Sequence, residues 1–220
     1  MTKVYLISGL GADKRLFKNI ILPQGFEIVA VDWLLPDIKS TLSDYSQLII
    51  NQYRIDFGAV VIGVSLGGII ATEIAKRVRL KAVILISSIK TESEVPKYFK
   101  FFKNVPVYTA IPDQLMTHVG FLIKPIFGKM NTEDLNLFKS MLRESSPIFM
   151  KWAMKAILNW RNDTVPANLF HLIGDKDLVF PYKNIKEPTA IVKGGTHIMV
   201  FDRADEINRL LAGILNNETA

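Results

Sequence analysis

Gly63, Val64, Ser65, Leu66 and Gly67 form a Gly-x-Ser-x-Gly pentad between an apolar run, Ala59 to Ile62, and a helical pattern that opens at Leu66. A serine at such a strand-to-helix junction rides a sharp turn that leaves its hydroxyl presented to a substrate. Residues two positions to either side of it approach each other, so only side chains near glycine's size fit, a requirement that Gly63 and Gly67 meet. A serine hydroxyl alone is a poor nucleophile near neutral pH and needs a base within hydrogen-bond reach and a group that fixes the base. His197, closing Gly194-Gly195-Thr196-His197, supplies an imidazole, a group able to take the hydroxyl proton and pass it to a leaving group. Asp175 and Asp177, in Leu172-Ile173-Gly174-Asp175-Lys176-Asp177, are the acids at hand to orient that imidazole. In a straight strand both would point the same way, but the segment is turning, so periodicity does not separate them.

The elements that must position these groups follow from apolar patterning. Strand-like runs at Val4 to Ile7, Glu27 to Val31, Ala59 to Val64, Ala82 to Ile86, Phe170 to Ile173 and Thr189 to Val192 alternate with helical patterns. Such alternation predicts a parallel sheet with helices on both faces. The helical stretches are Lys14 to Ile21, Leu42 to Tyr53, Leu66 to Val78 and Arg203 to Leu215, with Asp13, Thr41 and Asp202 as N-caps. Between the fourth and fifth strands the rhythm breaks. Helical patterns at Glu94 to Lys103, Asp113 to Ile123, Thr132 to Glu144 and Ile148 to Trp160 fill an interval too long for a structureless loop. An inserted helical cap accounts for it, its many Phe, Met and Trp side chains either packing the insertion or lining an apolar pocket.

The order serine, acid, histidine, with G-x-x-D at Gly174 to Asp177 and G-x-x-H at Gly194 to His197, resembles the alpha/beta-hydrolase superfamily along nearly the whole chain. The resemblance implies an α/β fold with a doubly wound, mainly parallel six-stranded sheet, an alpha/beta-hydrolase fold lacking the first two strands, in the order 2-1-3-4-5-6. It implies a core of residues 1–90 and 166–220 and a helical cap insertion, 91–165, roofing the site. Ligands in open parallel sheets bind where the strand order reverses, and both the Gly9 to Gly11 loop and Ser65 fall there. By resemblance Ser65 is the nucleophile, His197 the base and Asp177 the acid, with oxyanion-holding backbone N–H groups from Leu10 and Leu66. The family commonly has histidine before the glycine of that first loop; here Ser8 stands in its place.

The implied activity is cleavage of carboxylic esters or thioesters through an acyl-enzyme, on a small to medium apolar substrate. A lyase or acyltransferase using the same triad, and a noncatalytic ligand-binding or interaction protein on the same scaffold, are the competing readings. Serine at the elbow argues against relatives that use aspartate or cysteine there. The 220 residues, 49% hydrophobic and 22% charged, predict one globular unit. The absence of cysteine and the direct passage of Met1-Thr2-Lys3 into a strand, with no room for a signal peptide, predict a cytoplasmic protein. Val60 to Ala75, the most apolar window, is too short for a membrane span. Net charge is +6, but the 27 basic residues are scattered and no nucleic-acid motif accompanies them. No cofactor is expected, since Gly9-Leu10-Gly11 lacks the third glycine of a dinucleotide fingerprint, and no metal, since His118 and His171 have no ligand spacing. Asp32, closing the second strand, either contacts substrate or caps the following loop.

Overall fold

The computed structural model describes residues 1–112 and 130–217. Six strands, β1 (Thr2–Ile7), β2 (Phe26–Val31), β3 (Val60–Val64), β4 (Ala82–Ile86), β5 (Leu169–Gly174) and β6 (Ala190–Val192), form one sheet in the order β2-β1-β3-β4-β5-β6. Every neighbouring pair is parallel, so each connection must cross over a face of the sheet. The central strands β3 and β4 are buried at every position, as a sheet covered on both sides requires.

The two faces are read off alternate residues. Tyr5, Ile7, Val61, Val83, Leu85 and Ile173 pack with Leu42, Tyr45 and Ile49 of α1 (Leu42–Tyr53) and Ile69, Ile70 and Ile74 of α2 (Leu66–Ala75). Val4, Leu6, Val60, Ile62, Ile84 and Ile86 pack on the other side with Leu16, Phe17 and, from the C-terminal helix, Ile207, Leu211 and Leu215. The doubly wound sheet and its strand order are those expected from the sequence.

Several helix boundaries differ from expectation, and the helix expected from Glu94 starts only at Lys97, after Pro96. Thr41 caps α1 in a reciprocal capping box with Asp44, and Asp13 accepts from the Arg15 N–H, yet the pattern from Lys14 to Ile21 yields only a single 3-10 turn, Lys14–Phe17. Its bonds run from Leu16 N to Asp13 O and from Lys18 N to Arg15 O, a separate turn follows from Ile20 N to Phe17 O, and Leu16, Phe17 and Ile20 reach the core without an α-helix. α2 stops at Ala75 rather than Val78, because Arg77 and Val78 both donate back to the Ile74 carbonyl and tighten the last turn. Asp202 is not an N-cap: it closes a short helix before the C-terminal one starts at Ala204.

Between β4 and β5 lie a 3-10 turn (Glu92–Glu94), α3 (Lys97–Asn104), a second 3-10 turn (Val107–Ala110), α4 (Thr132–Glu144) and α5 (Pro147–Asn159). The pattern Asp113 to Ile123 and His118 lie outside the described residues. Asn131 caps α4 and Ser146 caps α5, whose first residue is proline, where a missing N–H costs nothing. The interval is tied to both core faces. Phe149, Trp152 and Trp160 pack in the cluster that holds Tyr45, while Phe138 and Met141 pack in the opposite one. Two more helices, α6 (Met199–Asp202) and α7 (Ala204–Asn217), end the described chain.

Candidate active site

The chain leaves β3 at Ser65 with φ 54° and ψ −117°, a conformation that costs roughly 1–3 kcal/mol for a residue with a Cβ. The surrounding backbone enforces it. Ser65 N donates to the Ile86 carbonyl at 3.0 Å, and the Ser65 carbonyl takes Gly68 N at 3.0 Å and Ile69 N at 3.3 Å as α2 begins. The pentad's glycines are dictated by space: a Cβ on Gly63 would overlap the Gly67 carbonyl group, and one on Gly67 would overlap the carbonyls of Ile7 and Ser8 at the end of β1.

The three distant side chains meet here. His197 Nε2 lies 3.0 Å from Ser65 Oγ, and His197 Nδ1 lies 3.0 Å from Asp177 Oδ2 and 3.1 Å from Oδ1. Asp177 Oδ1 also accepts from the N–H groups of Val179 and Phe180, both at 2.9 Å, which locks the carboxylate on the imidazole. His197 and Asp177 are each 3% exposed and Ser65 is half-buried, so the polar line is shielded except at the hydroxyl end. The Phe180 ring stands edge-on to His197 at 5.6 Å. Asp175 is occupied elsewhere: its Oδ1 accepts from Gly194 N at 2.6 Å and so builds the histidine turn. The acid-bearing turn and the histidine turn are pressed together, with Lys176 N donating to Gly195 O at 2.9 Å, and a Cβ on Gly174 would overlap that same carbonyl.

The loop after β1 lies against the serine. A Cβ built on Gly9 would stand 3.3 Å from Ser65 Cβ and 3.9 Å from its Oγ. The loop is pinned at one atom, the Ala12 carbonyl, which accepts from Ser8 Oγ at 2.9 Å and from Trp33 Nε1 at 2.8 Å. Ser8 thus fixes the loop from within, and Trp33 reaches across from the end of β2. Among the described residues the N–H groups of Leu10 and Leu66 donate to no protein acceptor. Leu66 is the first residue of α2, where unpaired N–H groups and the helix dipole favour negative charge. Asp32 is exposed and its carboxylate makes no hydrogen bond among the described residues; its backbone meets the Tyr53 hydroxyl, which accepts from Asp32 N at 2.7 Å and donates to the Asp32 carbonyl at 3.4 Å.

Behind the serine lies a buried polar layer that the sequence patterns do not reveal. Ser88 Oγ donates to the Ser65 carbonyl at 2.7 Å, and the Ser88 carbonyl stands 3.0 Å from His171 Nε2. Lys90 and Glu94 form a buried pair at 3.2 Å beside them. Burial lowers the His171 pKa to about 4, with Glu94 opposing the shift and Lys90 adding to it. A separate crevice of about 510 Å³, lined by Lys39, Thr41, Trp152, Lys155 and Trp160 among others, lies at the far end of α2 from Ser65. Among the described residues no three His, Asp or Glu side chains cluster to hold a metal ion, and no helix is long and apolar enough to cross a membrane.

A sequence profile of the alpha/beta hydrolase family matches residues 4–210. No curated protein matches significantly in sequence. Solved structures share the fold. A thermophilic esterase from Thermogutta terrifontis aligns with a TM-score of 0.79 at 16% identity, covering 100% of this chain and 91% of that one. A structure from work on carboxylesterases of the thaumarchaeon Nitrososphaera gargenis aligns at 0.69 and 19%, covering 99% and 91%, and one from work on epoxide hydrolases in metagenomes of hot environments at 0.71 and 16%, covering 97% and 90%.

Proposed function

Because this chain belongs to the alpha/beta hydrolase family, we propose that it is a serine hydrolase cleaving carboxylic esters or thioesters through an acyl-enzyme. The observation that carries the reading is the unbroken hydrogen-bonded line from Ser65 Oγ through His197 to Asp177, with both links at 3.0 Å. In this cycle Ser65 Oγ attacks the acyl carbonyl as His197 Nε2 takes its proton, and Asp177 holds the Nδ1–H tautomer and stabilises the imidazolium. The Leu10 and Leu66 N–H groups receive the charge that develops on the carbonyl oxygen. His197 then protonates the departing alcohol or thiol. Water, deprotonated by the same imidazole, releases the acid and restores the serine. Residues 1–90 and 166–220 act as the hydrolase core in this reading, and 91–165 as the cap that roofs the site and favours small or medium apolar acyl groups.

A fluorophosphonate probe tests the claim. The folded protein should be labelled and its Ser65→Ala variant should not, and p-nitrophenyl esters of rising chain length should then be turned over with a preference set by the cap. Labelling without ester hydrolysis would redirect the reading to lyase or acyltransferase chemistry on the same triad. No labelling of folded protein would leave a noncatalytic binding protein.

A further inference from the structure

We propose that α3 is a docking surface for an anionic lipid bilayer. No residue of this helix is buried. Phe101, Phe102 and, just past its end, Val105 are 59%, 37% and 45% exposed. At 100° per residue these three fall within about 100° of arc on one side of the helix. Lys97, Lys100 and Lys103 occupy the other side at 100° per residue, all exposed, and among the described residues none of the three forms an ion pair. From 95 to 112 the sequence holds these three lysines and no acidic residue. Aromatic rings on one side and unpaired lysines on the other are the pattern of a helix that lies in a membrane interface.

Charge decides between the possible occupants. A second copy docked on the same patch offers the three lysines no counter-charge from this segment, since a twofold contact repeats one patch on both partners and 95 to 112 holds no acid. An anionic lipid surface instead neutralises those lysines while the rings enter the headgroup layer.

The helix is fixed from beneath. Tyr98 Oη donates to the Val179 carbonyl at 2.6 Å and the Phe99 ring stands 5.9 Å from that of Phe180, so α3 sits on the turn that carries Asp177. Docking would set the His197 side of the site against the bilayer, where acyl chains concentrate. That consequence rests on the hydrolase reading; the docking itself does not.

The test is cosedimentation with vesicles of phosphatidylcholine alone and of phosphatidylcholine mixed with phosphatidylglycerol, at low and high salt. The protein should sediment with the anionic vesicles, less so at high salt. K97E/K100E/K103E should weaken the partitioning on the order of 100-fold, and F101S/F102S about tenfold or more. Thermal melts of both variants should match the parent, since the substituted side chains are exposed. Absence of sedimentation with anionic vesicles, or sedimentation that neither variant weakens, overturns the proposal. So does a concentration-dependent dimer that F101S/F102S abolishes, which would assign the face to a second copy.

Discussion

The Ser88 hydroxyl donates to the Ser65 carbonyl, so the residue that follows the exit of β4 grips the backbone of the residue that leaves β3. The grip is close: a Cβ on Gly68, in the first turn of α2, would overlap the Ser88 side chain. Ser87, held at φ 48°, reaches the Thr196 carbonyl in a long contact of 3.4 Å, beside His197. The β4 exit therefore touches both the serine turn and the histidine turn.

Ser88→Ala removes one of three donors to the Ser65 carbonyl, since Gly68 N and Ile69 N remain. The carbonyl is not orphaned, so the expected loss of stability is about 1 kcal/mol. If the grip also holds the elbow in register with His197, kcat on a p-nitrophenyl ester should fall several-fold with KM unchanged. Urea unfolding and steady-state kinetics measure the two effects separately. An unchanged kcat would mean that α2 alone sets the turn.

Asp177→Asn tests the acid. Its single carbonyl oxygen can still accept from Val179 N and Phe180 N, but the amide NH₂ then faces His197 Nδ1. Nδ1 must become the acceptor and the proton moves to Nε2, where the Ser65 proton should go. The expected loss is roughly 10³–10⁴ in kcat with little loss of stability. Asp175→Asn is the contrast: its carboxylate serves Gly194 N, a role that an amide oxygen can fill, so kcat should stay within a few-fold. Equal losses from the two substitutions would remove Asp177 from its special place.

The sheet was legible because β3 and β4 are short runs, apolar at every position, that alternate with helical patterns, as strands buried on both faces do. The serine turn was legible because Gly63 and Gly67 lie at fixed offsets from Ser65. Asp175 and Asp177 were not separable by pattern: the segment bends just past Gly174, and each carboxylate finds a different partner from the histidine turn. Lys14 to Ile21 carried a valid cap and apolar spacing, yet its apolar groups met the core after one turn. That Ser88, His171, Lys90 and Glu94 join in one buried layer left no trace in any pattern. Ser88 meets Ser65 across 23 residues and Lys186 N meets Glu94 across 92, and a serine or a lysine after a strand looks like any loop residue until the fold buries it.

His171 makes a prediction about pH. Its Nδ1 is buried and has no hydrogen-bond partner among the described residues, and its pKa is lowered to about 4, first by burial, with Lys90 adding and Glu94 opposing. The native state therefore keeps the imidazole neutral where an unfolded chain would already have taken a proton, near pH 6.5. The stability due to this residue is full above that value and is lost as pH falls towards about 4; the slope is at most about 1.4 kcal/mol per pH unit. His171→Gln keeps a donor for the Ser88 carbonyl but cannot titrate. The difference in urea-unfolding free energy between parent and variant should change across that window and be flat above it. A difference independent of pH would mean that the imidazole is charged, or solvated, in the native state.

Glu94 and Glu144 make the sharpest comparison of buried and exposed charge. Glu94 is fully buried and accepts from Lys90 N at 2.8 Å, from Lys186 N at 3.0 Å and from the Lys90 ammonium at 3.2 Å, joining the β4 exit to the segment that leads into β6. The Lys90 ammonium also donates to the Lys186 carbonyl. Glu94→Ala leaves that ammonium buried without its counter-charge and two N–H groups without an acceptor, a cost of about 3–5 kcal/mol. For a chain of this length the melting temperature should drop by roughly 6–20 °C. Glu144 meets Arg15 at the shorter distance of 2.7 Å, but its side chain is 62% exposed. Water and salt already screen that pair, so Glu144→Ala should barely move the melting temperature, and less still at high ionic strength. Distance alone ranks the two pairs in the opposite order, so thermal melts of both variants at low and high salt decide whether burial or separation governs them. A Glu94→Ala protein as stable as the Glu144→Ala protein would show that the buried layer behind Ser65 rearranges without loss.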